Sequence, residues 1–235
     1  MEPAARHLRC GQPLGTCGAA NRSRVARMRF VVSHPVCEER KTDGTPGLLY
    51  DRRMRLFIGI PLAVAVRGEL SALAARLRSR DDGLRWTAPE SWHITLEFLG
   101  NTGPEQYECV SARLGELHLR SVPIALERLE FFVRAGILIA AVRPAPQLLL
   151  LQQRVSAAAG LCGFTPEARP YQPHITLARS KGKGRELTEL KAKIQRQPAF
   201  SSYVAEEFFL YESFLGATGS RYEIRKRFPL ISYSS

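Results

Sequence analysis

The chain has 235 residues, of which 45% are hydrophobic and 24% charged, as in a globular protein with one domain or two small lobes. No apolar run approaches the roughly 18–20 residues that a transmembrane helix needs, so we predict no membrane span. The net charge of +12 favours an anionic partner such as nucleic acid or a nucleotide, although solvated surface charge explains it equally well.

The first 53 residues lack helical or strand periodicity and are rich in Gly, Pro, Arg and Ser. This composition predicts a disordered N-terminal extension over 1–53, with the folded domain over 54–235. Two alternatives stay open: a start assigned too far upstream, and an Arg-rich transit peptide, although five acidic residues count against the latter. The extension carries a net charge of +5, so residues 54–235 keep +7.

From residue 54 onwards the hydrophobic pattern is regular. Residues 54–60 form a predicted buried strand that ends at Pro61, and residues 62–80 follow helical spacing. The next predicted elements are strand 92–99, helix 104–117, strands 124–132 and 137–142, helix 147–159, strand 173–178, helix 186–195 and strands 205–214 and 222–228. Hairpins mixed with helices predict an α+β fold with largely antiparallel sheets that helices cover on one side.

Five cysteines are scattered along the chain without a C-x-x-C pair. This distribution predicts reduced thiols in a cytosolic protein rather than a disulfide framework. The ligand spacings of a zinc site are also absent, so we expect no metal.

One tetrapeptide occurs twice, as His93-Ile-Thr-Leu and as His174-Ile-Thr-Leu, which suggests duplicated halves. Side chains alternate along a strand, so each copy places its histidine and threonine on one face and two aliphatic side chains on the other. If both strands lie centrally and face one cleft, that cleft receives His93, Thr95, His174 and Thr176.

Two imidazoles and two hydroxyls suit displacement at phosphorus. One imidazole can deprotonate water while the other protonates the leaving ribose oxygen, and the threonine hydroxyls can donate to the non-bridging oxygens. A single H-x-T on a strand is usually a half-exposed polar pair, but two identical copies favour a site. His118, at the end of a predicted helix, is interpreted as a surface or capping residue without a role.

The sequence resembles the 2H phosphoesterase superfamily, named for its paired H-x-T-x motifs, and within it the RNA 2′,3′-cyclic phosphodiesterases, formerly called 2′–5′ RNA ligases. The resemblance covers nearly all of 54–235 and rests on the first strand, the two motif segments and a closing hairpin. These segments are Met54-Arg-Leu-Phe-Ile-Gly-Ile-Pro, residues 92–100, residues 173–179, Leu210-Tyr-Glu-Ser, Arg221-Tyr-Glu and Arg227-Phe-Pro-Leu.

The resemblance implies two pseudo-symmetric lobes with helices on the outside and a central cleft. It further implies His93 as the proton donor to the leaving 3′ oxygen and His174 as the proton acceptor from water. The residues themselves do not distinguish these two roles.

The expected function is hydrolysis of RNA or oligonucleotide 2′,3′-cyclic phosphate ends to a 2′-phosphomonoester, without a cofactor or metal. We expect a cytoplasmic monomer whose partner is RNA or an oligonucleotide with a 2′,3′-cyclic phosphate. We do not expect it to bind a membrane. Two alternatives remain: 2′–5′ RNA end-joining, and a non-catalytic nucleotide- or RNA-binding module.

Arg179 follows His174 by five positions and is a candidate phosphate ligand, as the resemblance also implies; the alternative is a surface arginine. Lys181, Lys183 and Arg185 continue a basic stretch that can steer an RNA backbone or form a solvated loop.

Three further residues are weaker candidates. By strict alternation Glu97 shares a face with His93, but four residues span about 13 Å along a strand, so it stays outside the catalytic set. Phe98 and Trp92 are interpreted as core or cleft wall rather than as base-stacking platforms.

Overall fold

The computed structural model describes residues 53–232 except 80–81, 182–189, 192, 195–198 and 217–218. Apart from Arg53, the predicted extension over 1–53 lies outside the described residues, so its disorder and the domain boundary stay predictions. Of the helix predicted at 186–195, only four residues are described.

The described residues form three α-helices and nine β-strands. The helices are α1 (Val64–Leu77), α2 (Pro104–Gly115) and α3 (Pro146–Gly160). The strands are β1 (Met54–Pro61), β2 (Leu84–Trp86), β3 (His93–Thr102), β4 (Val122–Phe132), β5 (Ile137–Val142), β6 (His174–Ser180), β7 (Ser202–Ala205), β8 (Glu207–Gly216) and β9 (Gly219–Pro229).

Two antiparallel sheets organise these strands. The first sheet has the order β3-β1-β8-β9, and the second has the order β2-β6-β5-β4-β7. The predicted α+β class with antiparallel sheets is therefore confirmed. The motif strand β6 lies inside its sheet, whereas β3 lies at the edge of its sheet rather than centrally.

The helices and one face of each sheet share a continuous hydrophobic core. Helix α1 turns Val66, Leu70, Leu73 and Leu77 into this core at helical spacing. Proline stands at the opening of both α2 and α3, where its missing amide N–H leaves no hydrogen bond unmade. No helix in the described part of the chain has the length and apolar character to cross a bilayer.

Two strands were not predicted from the sequence. Strands β2 and β7 have three and four residues, and each lies at one edge of the second sheet. Such short segments are too brief for an alternating pattern to be legible, so only pairing with a neighbour reveals them. Strand β2 matters for the site because it pairs directly with β6.

The prediction of free thiols is wrong at one pair of cysteines. Cys109 of α2 and Cys162, just after α3, form a disulfide with a Cα–Cα distance of 5.8 Å. Their separation of 53 residues has no recognisable spacing, and only the packing of α2 against α3 brings the two thiols together. The other three cysteines lie outside the described residues.

Candidate active site

The two copies of the tetrapeptide open equivalent strands. His93 is the first residue of β3, which pairs with β1, and His174 is the first residue of β6, which pairs with β5. The cross-strand partners correspond: Pro61, Ile60 and Gly59 face His93, Ile94 and Thr95, while Ala141, Ala140 and Ile139 face His174, Ile175 and Thr176. The internal repeat is thus also a repeat of strand register.

Each motif strand contains a β-bulge directly after its threonine. Leu96 is the extra residue of β3 against β1, and Leu177 is the extra residue of β6 against β5. A bulge of one residue reverses the alternation of the side chains that follow it. The residues four positions after each histidine therefore point into the core, and those five positions after it share the face of the histidine.

The bulge corrects the assignment of Glu97. This residue lies on the core side with 6% of its surface exposed, not on the face of His93 and Thr95. Burial raises the pKa of its carboxyl. Trp92 is a core residue as predicted, whereas Phe98 is 70% exposed on the face of His93.

Both imidazoles are oriented by the same type of hydrogen bond. The Nδ1 atom of His93 lies 2.8 Å from the carbonyl oxygen of Ser91, and that of His174 lies 2.7 Å from the carbonyl oxygen of Gln172. A carbonyl oxygen only accepts, so Nδ1 carries the proton in each ring. The Nε2 atom of each histidine is then left to accept a proton when neutral and to donate one when charged.

Aromatic side chains pack against the imidazoles of both His93 and His174. Phe57 lies 4.5 Å from His93 between ring centroids, and Tyr222 meets the same imidazole edge-on at 5.1 Å. Phe132 meets His174 edge-on at 4.9 Å. Gly59 leaves room for the first ring, because a Cβ there would lie 3.3 Å from Cδ2 of His93 and 3.0 Å from the carbonyl oxygen of Ile94.

The pKa of each imidazole is lowered. Burial lowers the pKa of His93 to about 4, the hydrogen bond to Ser91 opposes that shift, and the charge of His174 lowers the pKa further. Burial also lowers the pKa of His174, and Arg179 contributes to the decrease, while the hydrogen bond to Gln172 and the carboxylate of Glu130 raise it. The two rings are therefore within electrostatic reach of each other, and both are neutral in the free protein at pH 7.

Thr95, Thr176 and Arg179 complete the polar groups on this face. In the part of the chain that the structure describes, neither threonine hydroxyl is hydrogen-bonded to a protein acceptor, and Arg179 forms no ion pair. The backbone carbonyl of Thr95 accepts a hydrogen bond of 3.0 Å from the hydroxyl of Tyr171, which links the chain just before β6 to β3. These three side chains remain available to a bound anion.

Of the other candidates, His118 and Lys181 lie in the described part of the chain. His118 is exposed, with its Nδ1 2.8 Å from the carbonyl oxygen of Glu116, in line with the surface role expected for it. Lys181 lines a hollow at the β2 edge, and Lys183 and Arg185 lie outside the described residues. Among the described residues, no group of three or more His, Cys, Asp and Glu side chains is arranged to hold a metal ion.

Sequence reasoning missed the aromatic neighbours of the imidazoles. Phe57 and Tyr222 come from strands far apart in the sequence from His93, and the pairing order of the first sheet alone brings them together. The alternation of β1 carried a usable signal, because a strand that buries Leu56 and Ile58 on one face must present Phe57 on the other.

Comparison with known protein families identifies the arrangement. The model of the LigT like phosphoesterase family matches the chain twice, over residues 60–138 and 139–222, one match for each motif strand. The chain belongs to this family. The first match contains the motif strand β3 and the second contains the motif strand β6, in agreement with the repeated register of these two strands.

Curated relatives and solved structures agree with the family. The RNA 2′,3′-cyclic phosphodiesterase of Escherichia coli is 28% identical over 178 residues, covering 75% of this chain and 96% of that protein. The enzyme of the same name from Archaeoglobus fulgidus is 27% identical over 173 residues, covering 72% of this chain and 97% of that one. The crystal structure of E. coli LigT in its apo form superposes with a TM-score of 0.65 at 26% identity, over 76% of this chain and 98% of LigT. LigT complexed with 3′-AMP gives the same TM-score and identity, over 76% of this chain and 99% of that one.

Proposed function

We propose that this LigT-like phosphoesterase hydrolyses the 2′,3′-cyclic phosphate at the end of an RNA and leaves a 2′-phosphomonoester. Relatives that bear the name RNA 2′,3′-cyclic phosphodiesterase, and a LigT structure with 3′-AMP, support this substrate class. The observation that carries the proposal is the pair of imidazoles, each with Nδ1 bound to a backbone carbonyl and Nε2 left for proton transfer.

The proposed reaction is one in-line displacement at phosphorus. Nε2 of His174 takes a proton from water while the water oxygen forms a bond to phosphorus. The bond between phosphorus and the 3′ oxygen breaks, and the Nε2 proton of His93 passes to that oxygen. The product carries a 2′-phosphate and a 3′-hydroxyl, and transfer of the proton from His174 back to His93 through solvent restores the starting state.

The remaining polar groups hold the phosphate during this step. The hydroxyls of Thr95 and Thr176 donate to the non-bridging oxygens, and the guanidinium of Arg179 binds the negative charge that grows on them. Fixing the phosphate between two imidazoles also aligns the attacking and leaving oxygens, which lowers the entropic part of the barrier.

The lowered pKa of His93 sets a condition on its role as the acid. With a pKa of about 4 in the free protein, His93 is neutral at pH 7 and has no proton at Nε2 to give. A bound phosphodiester brings a negative charge beside the ring, and that charge favours the imidazolium form. In the proposed mechanism, substrate binding therefore raises the pKa of His93, so that its imidazole gains the proton that it later donates.

The test is product analysis on a short RNA that ends in a 2′,3′-cyclic phosphate. We expect conversion to a 2′-phosphate end, separated from a 3′-phosphate standard by chromatography. A 3′-phosphate product would contradict the assignment of the leaving oxygen. Addition of a second RNA with a 5′-hydroxyl distinguishes hydrolysis from end-joining, which yields a longer RNA with a 2′–5′ linkage. Tight binding of the cyclic end without turnover would contradict the proposal.

A further inference from the structure

Two arginines stand side by side on the face that carries the second motif. Strand β2 pairs with β6, and in this pairing Arg85 lies directly opposite Arg179. Leu84 is buried in the core and Trp86 packs against the core, partly buried, so alternation turns Arg85, which lies between them, to the other face. This is the face of His174, Thr176 and Arg179.

The pair is unfavourable for the protein alone. Like charges directly opposite each other on neighbouring strands repel, and their side chains start about 5 Å apart. Within the described residues neither guanidinium has a carboxylate partner. The basic pair is therefore explained better by an anion that it binds than by a contribution to stability.

Arg85 also borders a hollow of about 500 Å³ at the β2 edge. The hollow is open to solvent and comparable in size to small-ligand sites, which span about 300–1,000 Å³. Arg78 and Lys181 add two more positive charges to its wall. Among the described residues that line it, the one carboxylate is that of Asp82, and it is already engaged, because it accepts hydrogen bonds from Nε1 of Trp86 at 2.7 Å and from the amide of Leu84 at 2.9 Å.

The hollow also has an aromatic wall. The guanidinium of Arg78 lies over the ring of Trp86 at 5.3 Å from its centroid, and the hydrogen bond to Asp82 fixes the indole. Positively charged grooves that contain aromatic side chains and arginines in cation–π contact are typical of proteins that hold single-stranded nucleic acid. Arg85 lies between this hollow and the phosphate ligand Arg179.

We propose that Arg85 binds the backbone phosphate of the nucleotide preceding the cyclic end, and that the hollow at the β2 edge receives the RNA in the 5′ direction. This inference rests on the proposed function and deepens it, because it makes the preferred substrate an oligonucleotide. A cyclic mononucleotide has no such phosphate and gains nothing from Arg85. Selectivity for the longer substrate is thus the property that Arg85 controls.

The test compares two substrates with the same terminal nucleoside 2′,3′-cyclic phosphate, a mononucleotide and an RNA trinucleotide. The measured quantity is the ratio of kcat/KM for the trinucleotide to kcat/KM for the mononucleotide. R85A is expected to lower this ratio about tenfold, and R85K to restore part of it, since charge survives but the guanidinium fork does not. R154A, at an exposed arginine on α3, is the matched control and should leave the ratio unchanged.

The salt dependence of kcat/KM is a second measurement, and it would not change if Arg85 had only a structural role. The plot of log(kcat/KM) against log salt for the trinucleotide has a negative slope, and loss of one phosphate contact in R85A should reduce the magnitude of that slope by about 0.7. An R85A ratio within twofold of that of the unaltered chain would overturn the proposal. Absence of turnover of both substrates by the unaltered chain would refute the proposed function itself, and this proposal would fall with it.

Discussion

The two halves of the site share one backbone design but differ in their surroundings. Both place a histidine at the start of a strand, bond its Nδ1 to a carbonyl two residues earlier and insert a bulge after the threonine. His93 is enclosed by Phe57 and Tyr222, whereas His174 lies near one ring and two charged side chains, Arg179 and Glu130. The repeat therefore fixes geometry, and the neighbours fix the charge preference of each imidazole.

The two halves also differ at the residue five positions after each histidine. The bulges bring Phe98 in the first half and Arg179 in the second half to the face of the histidines. An exposed aromatic ring and an exposed cation at equivalent positions indicate that the halves have divided their tasks. We propose that the second half holds the negative charge of the substrate and that the first half supplies a less polar environment.

The largest effect is expected from loss of either imidazole. His93→Ala and His174→Ala should each lower kcat/KM on a 2′,3′-cyclic nucleotide by about 10²–10⁴-fold, because each removes one proton transfer. Circular dichroism and a thermal melt verify that the fold is retained. His118→Ala is the control, since that exposed histidine lies in the segment that follows α2, and it should keep full activity. A single variant with more than a tenth of normal activity would remove its histidine from the mechanism.

A smaller effect is expected at the paired positions after the bulges. Arg179→Ala should raise the inhibition constant for inorganic phosphate by about 10–100-fold, because a charge-assisted contact is lost. Phe98→Ala removes no charge and should change this constant by less than about threefold, because its contribution to phosphate binding is only indirect. Equal effects of the two substitutions would contradict the division of tasks between the halves.

The pH dependence of kcat/KM for the unaltered chain is expected to lie at lower pH than two ordinary histidines would give. Because burial lowers the pKa of both imidazoles, the free protein loses its last ring proton below pH 6.5. The bell-shaped profile of kcat/KM should therefore lie on the acid side of pH 6.5 and fall as the pH rises further. Its two limbs belong to the pair rather than to either residue.

The pH profile of kcat should lie at higher pH than that of kcat/KM, since the bound phosphate favours an imidazolium. Arg179→Ala should in addition raise the apparent pKa values, because the positive charge of Arg179 lowers the pKa of His174. Stopped assays from pH 4 to 9 with both substrate-limiting and saturating conditions separate these effects. A kcat/KM that rises steadily to pH 9 would show that neither group acts as an acid with a lowered pKa.

The smallest effect on activity is expected from the disulfide. Replacing Cys109 and Cys162 by serine should lower the free energy of unfolding by about 2–4 kcal/mol, since the bond closes a long loop. For a domain of this size that corresponds to a fall in Tm of roughly 5–15 °C. Activity at 25 °C should change less than about twofold, because the bond joins helices rather than motif strands. The thermal melt of the unaltered chain under reducing conditions should match that of the double-serine variant. If the reduced chain is as stable as the oxidised chain, the disulfide does not stabilise the native state.

Much of this architecture was predictable from local patterns. The long strands and helices followed from periodicity, and the repeat made His93, Thr95, His174 and Thr176 the candidate site residues on two predicted strands. The bulges were not predictable, because Leu96 and Leu177 are apolar like their neighbours and nothing in the pattern marks an extra residue. The face of Glu97 was therefore assigned wrongly.

Non-local pairing accounts for the other differences. Strand β2 and the Cys109–Cys162 bond depend on segments that meet only after the chain folds. The facing arginines at 85 and 179 have the same origin, since their separation of almost one hundred residues gives no sign of contact. Of these features, the facing arginines carry the substrate specificity proposed for this chain, which is why the sequence alone pointed to the chemistry but not to the preferred length of RNA.

The central claim is that His93 and His174 act together on one phosphorus atom. It is tested most directly by measuring single-turnover rates of cyclic-phosphate hydrolysis for the two single alanine variants and for the double variant. Groups that act as one unit give strongly non-additive losses. We therefore predict a double variant about as slow as the slower single one, and losses that multiply would contradict a shared site.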